Sequence, residues 1–299
     1  MKDKKGRLQS ILMILPNLGL FLLVSVYPVI WALQYMFFNY NGIHDRRFVG
    51  LENFVRVFTD DPVFWNSVRN TFVIAAGQIA IIIPVAFLVA YLINKPKRLY
   101  AGIQAIIFSP TIMSSSVMAL VFFLLLNFAS GELNRVLVNI GLISAPLNWL
   151  GVDMVMITVI LVGVWGGLGN YMVYFLAGLQ QIDLTLYESA EMDGVNRWQR
   201  MWYITLPLLG PVLKIILMFI IVNSLQDFQS IMVLTGGGPF GRTNVMFLYV
   251  FSLYFPTTDA GVFRPQFGYG AAVSVVAAGI IGVVTLLYLR LSKKLDEIY

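Results

Sequence analysis

The sequence predicts an all-α, polytopic membrane protein with six transmembrane helices. Three observations lead there: 59% of the 299 residues are apolar and only 12% are charged, the mean hydropathy is +0.80, and the apolar residues gather in six stretches long enough to cross a bilayer. A soluble domain carries about 25% charged residues, so soluble enzyme classes are excluded. Apolar content this high also excludes a disordered chain. The absence of Cys removes disulfide frameworks, thiolate metal sites and thiol redox centres. One histidine, His44, leaves no His cluster for a metal hydrolase, so no metal site is expected.

A helix crossing a hydrocarbon layer of roughly 30 Å needs about 20 apolar residues at about 1.5 Å rise each. Residues 11–36, 71–94, 102–126, 154–179, 212–235 and 266–289 satisfy this. Runs such as VAFLVAYLI and VVAAGIIGVVTLLYL lack the alternation that barrel strands of about 10 residues require. Residues 1–10 form a basic N-terminus with Lys2, Lys4, Lys5 and Arg7. The apolar run behind it exceeds the roughly 7–15 residues of a signal-peptide core, so it reads as an uncleaved first span. Residues 37–70 are then an extracytoplasmic loop, 71–290 a core holding the other five spans, and 291–299 a C-terminal tail.

Of the 20 Lys and Arg residues, 13 fall on the side that holds both termini and 7 on the other. The positive-inside bias places both termini in the cytoplasm, with four of the opposing arginines in the long 39–70 loop. The net charge of +5 therefore belongs to membrane flanks and calls for no nucleic acid. Pro16, Pro28, Pro84, Pro110 and Pro211 lie in or beside spans, where they serve as packing kinks or line a wet pathway. Two short apolar helices, 131–142 and 245–255, are expected to lie in the membrane interface.

The longest polar cytoplasmic segment, DLTLYESAEMDGVNRWQRMWYITLPLLGP, reads as two short helices joined by a turn. Thr185 with Glu188 has capping-box spacing, Asp193-Gly194 supplies the turn, and Asn196 with Gln199 restarts a helix. Pro207 and Pro211 are expected to end it. Tyr187, Trp198, Met201, Trp202 and Tyr203 offer anchors for a protein partner, with Glu188, Glu191, Asp193, Arg197 and Arg200 supplying charge. A helix pair lying on lipid with Trp at the headgroups is the competing reading.

Glu188-Ser189-Ala190, three residues, Gly194, nine residues and Ile204-Thr205-Leu206-Pro207 resemble the EAA loop of bacterial ABC importer permeases, whose pattern is EAA, x3, G, x9, I-x-L-P. Ser189 in place of Ala is the one departure. Leu234-Thr235-Gly236-Gly237-Gly238-Pro239 is similar to a signature of the maltose-type carbohydrate group, in the class of the larger maltose permease subunit. Arg69-Asn70-Thr71, GELNRVLVNIGL and Pro146-Leu147-Asn148-Trp149-Leu150 also resemble that group, and the likeness extends over residues 8–295.

The resemblance implies the MetI-like fold of type I ABC importer permeases. It implies a sugar importer of the bacterial inner or plasma membrane, built as a heterodimer with a second permease subunit, two ATPase subunits and an extracytoplasmic sugar-binding protein. It further implies that residues 183–207 are coupling helices, with Glu188 the ion-pair partner of the ATPase, Gly194 the turn, and Ser189, Ala190, Asp193, Ile204, Leu206 and Pro207 the rest of the motif. No cofactor is expected on this chain. ATP and Mg belong to the partner ATPase, and no Walker A pattern occurs here.

Polar side chains inside spans are costly and usually face the protein interior or water. Asn223, Gln226, Asp227 and Ser230 follow i, i+3, i+4, i+7 spacing, which predicts one polar helix face for a sugar's hydroxyls. Gln229, Gln78, Ser114, Ser115, Ser116, Trp165, Asn170 and Tyr174 are further candidates, with interhelical hydrogen bonding as the alternative role. A glycerol-phosphate or other small polar solute is the second substrate reading. An ion-coupled secondary transporter is the rival from another class, because Asp227 is the one acid within a span. No catalytic residues are assigned, since no nucleophile–base pairing occurs in the spans.

Overall fold

In lipid, every backbone N–H must find its partner within the protein, so apolar runs this long fold as helices. A computed structural model describes residues 2–43, 46–94, 98–256 and 264–296. His44, Lys95 and Lys97 lie outside the described residues. The chain gathers into two compact units, residues 1–61 with 250–279, and residues 62–249 with 280–299.

In the first unit, α1 (Lys2–Phe21) runs into a π-helical turn (Leu22–Val26), α2 (Tyr27–Leu33) and a 3-10 turn (Gln34–Phe37). The π turn precedes Pro28, whose nitrogen cannot donate to the preceding turn, and the Tyr27 N–H reaches Leu22 instead. None of the apolar window in Ile11–Phe37 is buried. A short hairpin, β1 (Phe38–Asn39) with β2 (Arg47–Phe48), and α3 (Glu52–Thr59) follow. Asn53 Nδ2 donates to the Met36 and Phe38 carbonyls at 2.9 and 3.1 Å, tying α3 to the hairpin. The Arg56 guanidinium lies 3.9 Å over the Tyr269 ring, and the Tyr269 hydroxyl donates to Asp61.

The second unit is built on α4 (Pro62–Ile93) and α8 (Val155–Leu179). The buried residues of α4 include Phe64, Val68, Thr71, Ala75, Gln78, Ile82, Ala86 and Ala90, a stripe at helical spacing that faces its neighbours. Helix α4 begins nine residues before the expected span, at a proline suited to a first helical turn. Ile82, Ala86 and Ala90 form one apolar cluster with Val164, Met172, Phe175, Ile216 and Ile220. Ile74, Met118, Val159, Val162, Ile231, Leu234 and Leu248 form a second.

Two expected spans are not single straight helices. The third is α5 (Arg98–Phe108), a 3-10 turn (Ser109–Ile112) and α6 (Ser115–Leu125), with a bend of 100° between the two halves. Pro110 sits in the turn, and Ser114 caps α6 by accepting from the Val117 N–H at 3.3 Å. After α7 (Glu132–Asn139) and α8 come α9 (Leu184–Met192), α10 (Arg197–Arg200), a π-helical turn (Met201–Thr205) and α11 (Leu206–Leu208).

The fifth span is α12 (Gly210–Gln226), bent by 68° from the segment before it, and its helix stops at Gln226. A separate α13 (Gln229–Leu234) follows. Pro207 follows the Met201–Thr205 π-helical turn without a break, as Pro28 follows the one at Leu22–Val26, and Pro211 stands in the first turn of α12, so neither ends a helix at its own position as the sequence suggested. In a first turn the missing N–H of Pro211 is one that the helix leaves unpaired anyway. The described residues contain four unbroken helices long and apolar enough to cross a membrane, and six such segments if the bent pairs Leu99–Ile112 with Ser115–Leu125 and Arg197–Leu208 with Gly210–Gln226 each count as one. The second pair begins inside the polar loop and stops at Gln226, short of the expected 212–235.

The last helices are α14 (Met246–Tyr254) and α15 (Phe267–Asp296). The interfacial placement expected for 245–255 is not what forms: Val245, Met246, Leu248, Tyr249, Val250 and Leu253 are buried in the protein. The Met246 N–H donates to Thr71 Oγ1 at 3.0 Å, and Gly270 admits Tyr254 and Leu253 into close contact.

Candidate functional site

Two sites in the second unit collect the residues singled out by the sequence. The first is the polar loop. Asp183, not Thr185, caps α9: its Oδ1 accepts from the Thr185 N–H at 3.0 Å. The expected Thr185–Glu188 capping box does not form, because an Asp two residues upstream takes the N-cap position. The Thr185 carbonyl instead accepts from Ser189 Oγ at 2.8 Å. Backbone donation from Thr185 holds the Asp183 carboxyl below the usual carboxylate range.

Helix α9 ends in a Schellman motif, with Val195 N–H donating to the Ala190 carbonyl and Gly194 N–H to that of Glu191, at 3.0 and 3.1 Å. The motif needs a left-handed residue, which Gly194 supplies with φ +74°. Helix α10 then opens with a reciprocal capping box: Gln199 N–H to Asn196 Oδ1 and Asn196 N–H to Gln199 Oε1, each 2.9 Å.

The two arms are braced internally. Tyr187 Oη and Thr205 Oγ1 share a 3.2 Å hydrogen bond, and the Arg200 guanidinium lies 5.2 Å from the Tyr187 ring centre. Ala190, Met201 and Thr205 are buried, so Met201 and the half-buried Tyr187 brace the loop and do not project from it. Glu188, Ser189, Asp193, Gly194 and Pro207 are exposed, and Ile204 and Leu206 half-buried. Exposed on the same loop are Met192, Trp198, Trp202 and Tyr203. A shallow depression of about 410 Å³ opens among Asp193, Gly194, Val195, Gln199, Tyr203 and Ile204.

The second site is a cavity of about 400 Å³ at the breaks of the third and fifth spans. Gln78 reaches it from α4, Asn170 and Tyr171 from α8, Thr111 and Ser115 from the α5–α6 break, and Asn223, Gln226, Asp227 and Gln229 from the α12–α13 break. Asp227 stands at the second break. It has an extended backbone (ψ 115°), and its carboxylate accepts from Ser230 N–H at 3.4 Å and Ser230 Oγ at 2.5 Å. Asp competes with helical bonding in this way.

The expected single polar stripe is therefore interrupted, yet Asn223, Gln226 and Asp227 still reach the same cavity. Ser230 is buried against Asp227 and does not line it. Trp165 and Tyr174 are likewise not on its wall. Trp165 packs edge-on against Phe122 with ring centres 5.0 Å apart, and Tyr174 lies against Phe219 at 5.9 Å.

Part of the wall is bonded to itself. Ser224 Oγ donates to Gln78 Oε1 at 2.6 Å, and Asn223 Nδ2 to Tyr171 Oη at 3.3 Å. Gly163, Gly166 and Gly167 were not recognised as wall residues from the sequence. A Cβ on Gly163 would strike the Gln78 amide, and one on Gly166 the Met118 thioether. The i, i+3, i+4 glycine spacing in GVWGG was the available signal, since small residues let membrane helices approach closely.

Residues 82–297 match the profile of a family described as binding-protein-dependent transport system inner membrane components. The chain is similar to the lactose transport system permease protein LacF of Rhizobium radiobacter, 31% identical over 92% of this chain and 91% of that one. It is similar to the trehalose/maltose transport system permease protein MalF of Thermococcus litoralis, 31% identical over 94% of this chain and 92% of that one. Among solved structures it resembles a chain of a bacterial ABC transporter involved in import of the acidic polysaccharide alginate, with TM-score 0.81 and 25% identity over 98% of each chain.

Proposed function

Because the chain belongs to the family of binding-protein-dependent transport system inner membrane components, we propose that it is the permease subunit of an ATP-driven sugar importer, oligosaccharides in particular. It forms half of the pathway beside a second permease subunit. An extracytoplasmic sugar-binding protein delivers the solute, and two ATPase subunits consume ATP and Mg. This chain itself catalyses nothing. Both termini lie in the cytoplasm, on the same side as the loop at 183–207.

The carrying observation is the braced helix–Gly194–helix loop, which presents Glu188, Asp193, Trp198 and Trp202 outward from a rigid frame. Exposed aromatics beside selective charges suit docking to a soluble partner. Bending and bracing at residues 201–209 join this loop directly to α12, whose far end carries Asn223, Gln226 and Asp227. A push on the loop is thereby passed to the cavity along one helix. The amides and carboxylate at the cavity can accept and donate to sugar hydroxyls, with Tyr171 and Phe228 offering aromatic surface. No Lys, Arg or His is among the described lining residues, which disfavours a phosphorylated solute.

The test is reconstitution with the second permease, the ATPases and the binding protein, followed by uptake of lactose, trehalose and maltose. Uptake should require ATP, and Glu188→Lys should abolish it while the chain remains in the membrane. Uptake that persists without any ATPase, driven by a proton or sodium gradient, would refute the reading.

A further inference from the structure

The cavity at the two span breaks has an uneven charge. Its described wall consists of amides, hydroxyls, apolar groups and glycines, and Asp227 is the one side chain among them with a formal charge at neutral pH. That carboxylate is held in place by Ser230, which donates to both of its oxygens. Asp227 is half-buried, while Asn223 and Gln226 in the helix just before it are exposed. Between protein walls a carboxylate acts on a second charge a few ångströms away more strongly than it does in bulk water. Neighbouring amides can solvate a neutral hydroxyl, but nothing on this wall neutralises a second negative charge.

We propose that Asp227 makes this cavity a charge filter, which admits neutral or cationic saccharides and turns away those carrying a carboxylate, sulfonate or phosphate. The filter rests on the reading that the cavity lies on the solute path. Ser230 acts as a positioning residue, because it fixes the carboxylate that creates the field.

The chain has no Cys, so a single thiol can report the local potential. Ser115→Cys, placed on the cavity wall, is introduced into the full reconstituted transporter. Its modification by a cationic methanethiosulfonate reagent (trimethylammonium) and an anionic one (sulfonate) is timed on this chain, and the rate ratio is divided by that for a free thiol. The expected normalised ratio is tenfold or more in favour of the cation. Adding Asp227→Asn should bring it close to one, and Asp227→Glu should keep it high.

A ratio near one with Asp227 present, or a high ratio that Asp227→Asn leaves unchanged, would overturn the filter. Labelling the Ser115→Cys thiol should also block uptake of neutral sugar. A normal field together with full uptake after labelling would overturn the path reading, and the filter with it, so the two failures are told apart.

Discussion

Gly194 offers a substitution whose effect can be worked from geometry. A Cβ built at Gly194 meets nothing within 4 Å, so replacement by Ala creates no clash inside this chain. The whole cost is conformational: φ is +74°, and a left-handed L-residue costs about 1–2 kcal/mol. That amount lowers the occupancy of the native turn about 5–30-fold relative to competing turns. Proline is worse, since its ring fixes φ near −65° and removes the N–H that bonds to the Glu191 carbonyl. Asparagine tolerates left-handed backbone and should recover most of the loss. ATP-coupled uptake by the reconstituted transporter should therefore rank Gly, Asn, Ala, Pro from best to worst. Hydrogen exchange at Val195 and Gln199 should rank the other way. If Asn proved worse than Ala, the glycine would be needed for close approach of a partner and not for its φ, and the conformational argument would be wrong.

Three other outcomes follow from the same reasoning. Asn134 is 4% exposed and holds three hydrogen bonds, to both backbone groups of Leu147 and to Trp149 Nε1. Asn134→Ala strands those partners at about 1 kcal/mol each where water can reach them, so a loss of about 3 kcal/mol is expected in thermal unfolding in detergent. Gly169→Ala drives a methyl into the backbone of Ile107 and Phe108, which cannot rotate aside, and should cost about 1–3 kcal/mol. The three atoms nearest a Cβ on Gly178 are side-chain methyls of Leu209 and Val212, which can give more than backbone can, so Gly178→Ala should be milder in the same assay. The depressed Asp183 carboxyl gives its cap at neutral pH, and the cap is lost as the pH falls through that lowered value. Side-chain NMR should find Asp183 titrating below the usual carboxylate range, and Asp183→Asn should abolish the low-pH change in exchange at Thr185.

Much of the site was legible because its chemistry is local. Asp193-Gly194-Val195 and Asn196-Gln199 specify a helix stop and a helix start through bonds that span three to five residues, and both formed as the sequence implies. The α9 start was misassigned because Asp183 and Thr185 are both good caps, and local spacing cannot say which residue leaves the helix first. Trp165 and Tyr174 were grouped with the pathway on residue type alone. Their neighbours Phe122 and Phe219 come from other helices and are invisible to periodicity.

By itself the sequence determined that the chain is helical and membrane-spanning, that long apolar segments carry it, and which loop holds the EAA-like motif. Those outcomes depend on solvent transfer and on bonds between near neighbours. Tertiary structure alone decided that the third and fifth spans break, that α14 is buried, and that Gln78, Ser115, Asn170 and Asp227 share one cavity. The break at Asp227 shows the reason. Asp227 can continue the helix or leave it and bond to Ser230, local sequence permits both, and the second is the one that lets α13 pack against α6 around Ile231, Leu234 and Met118.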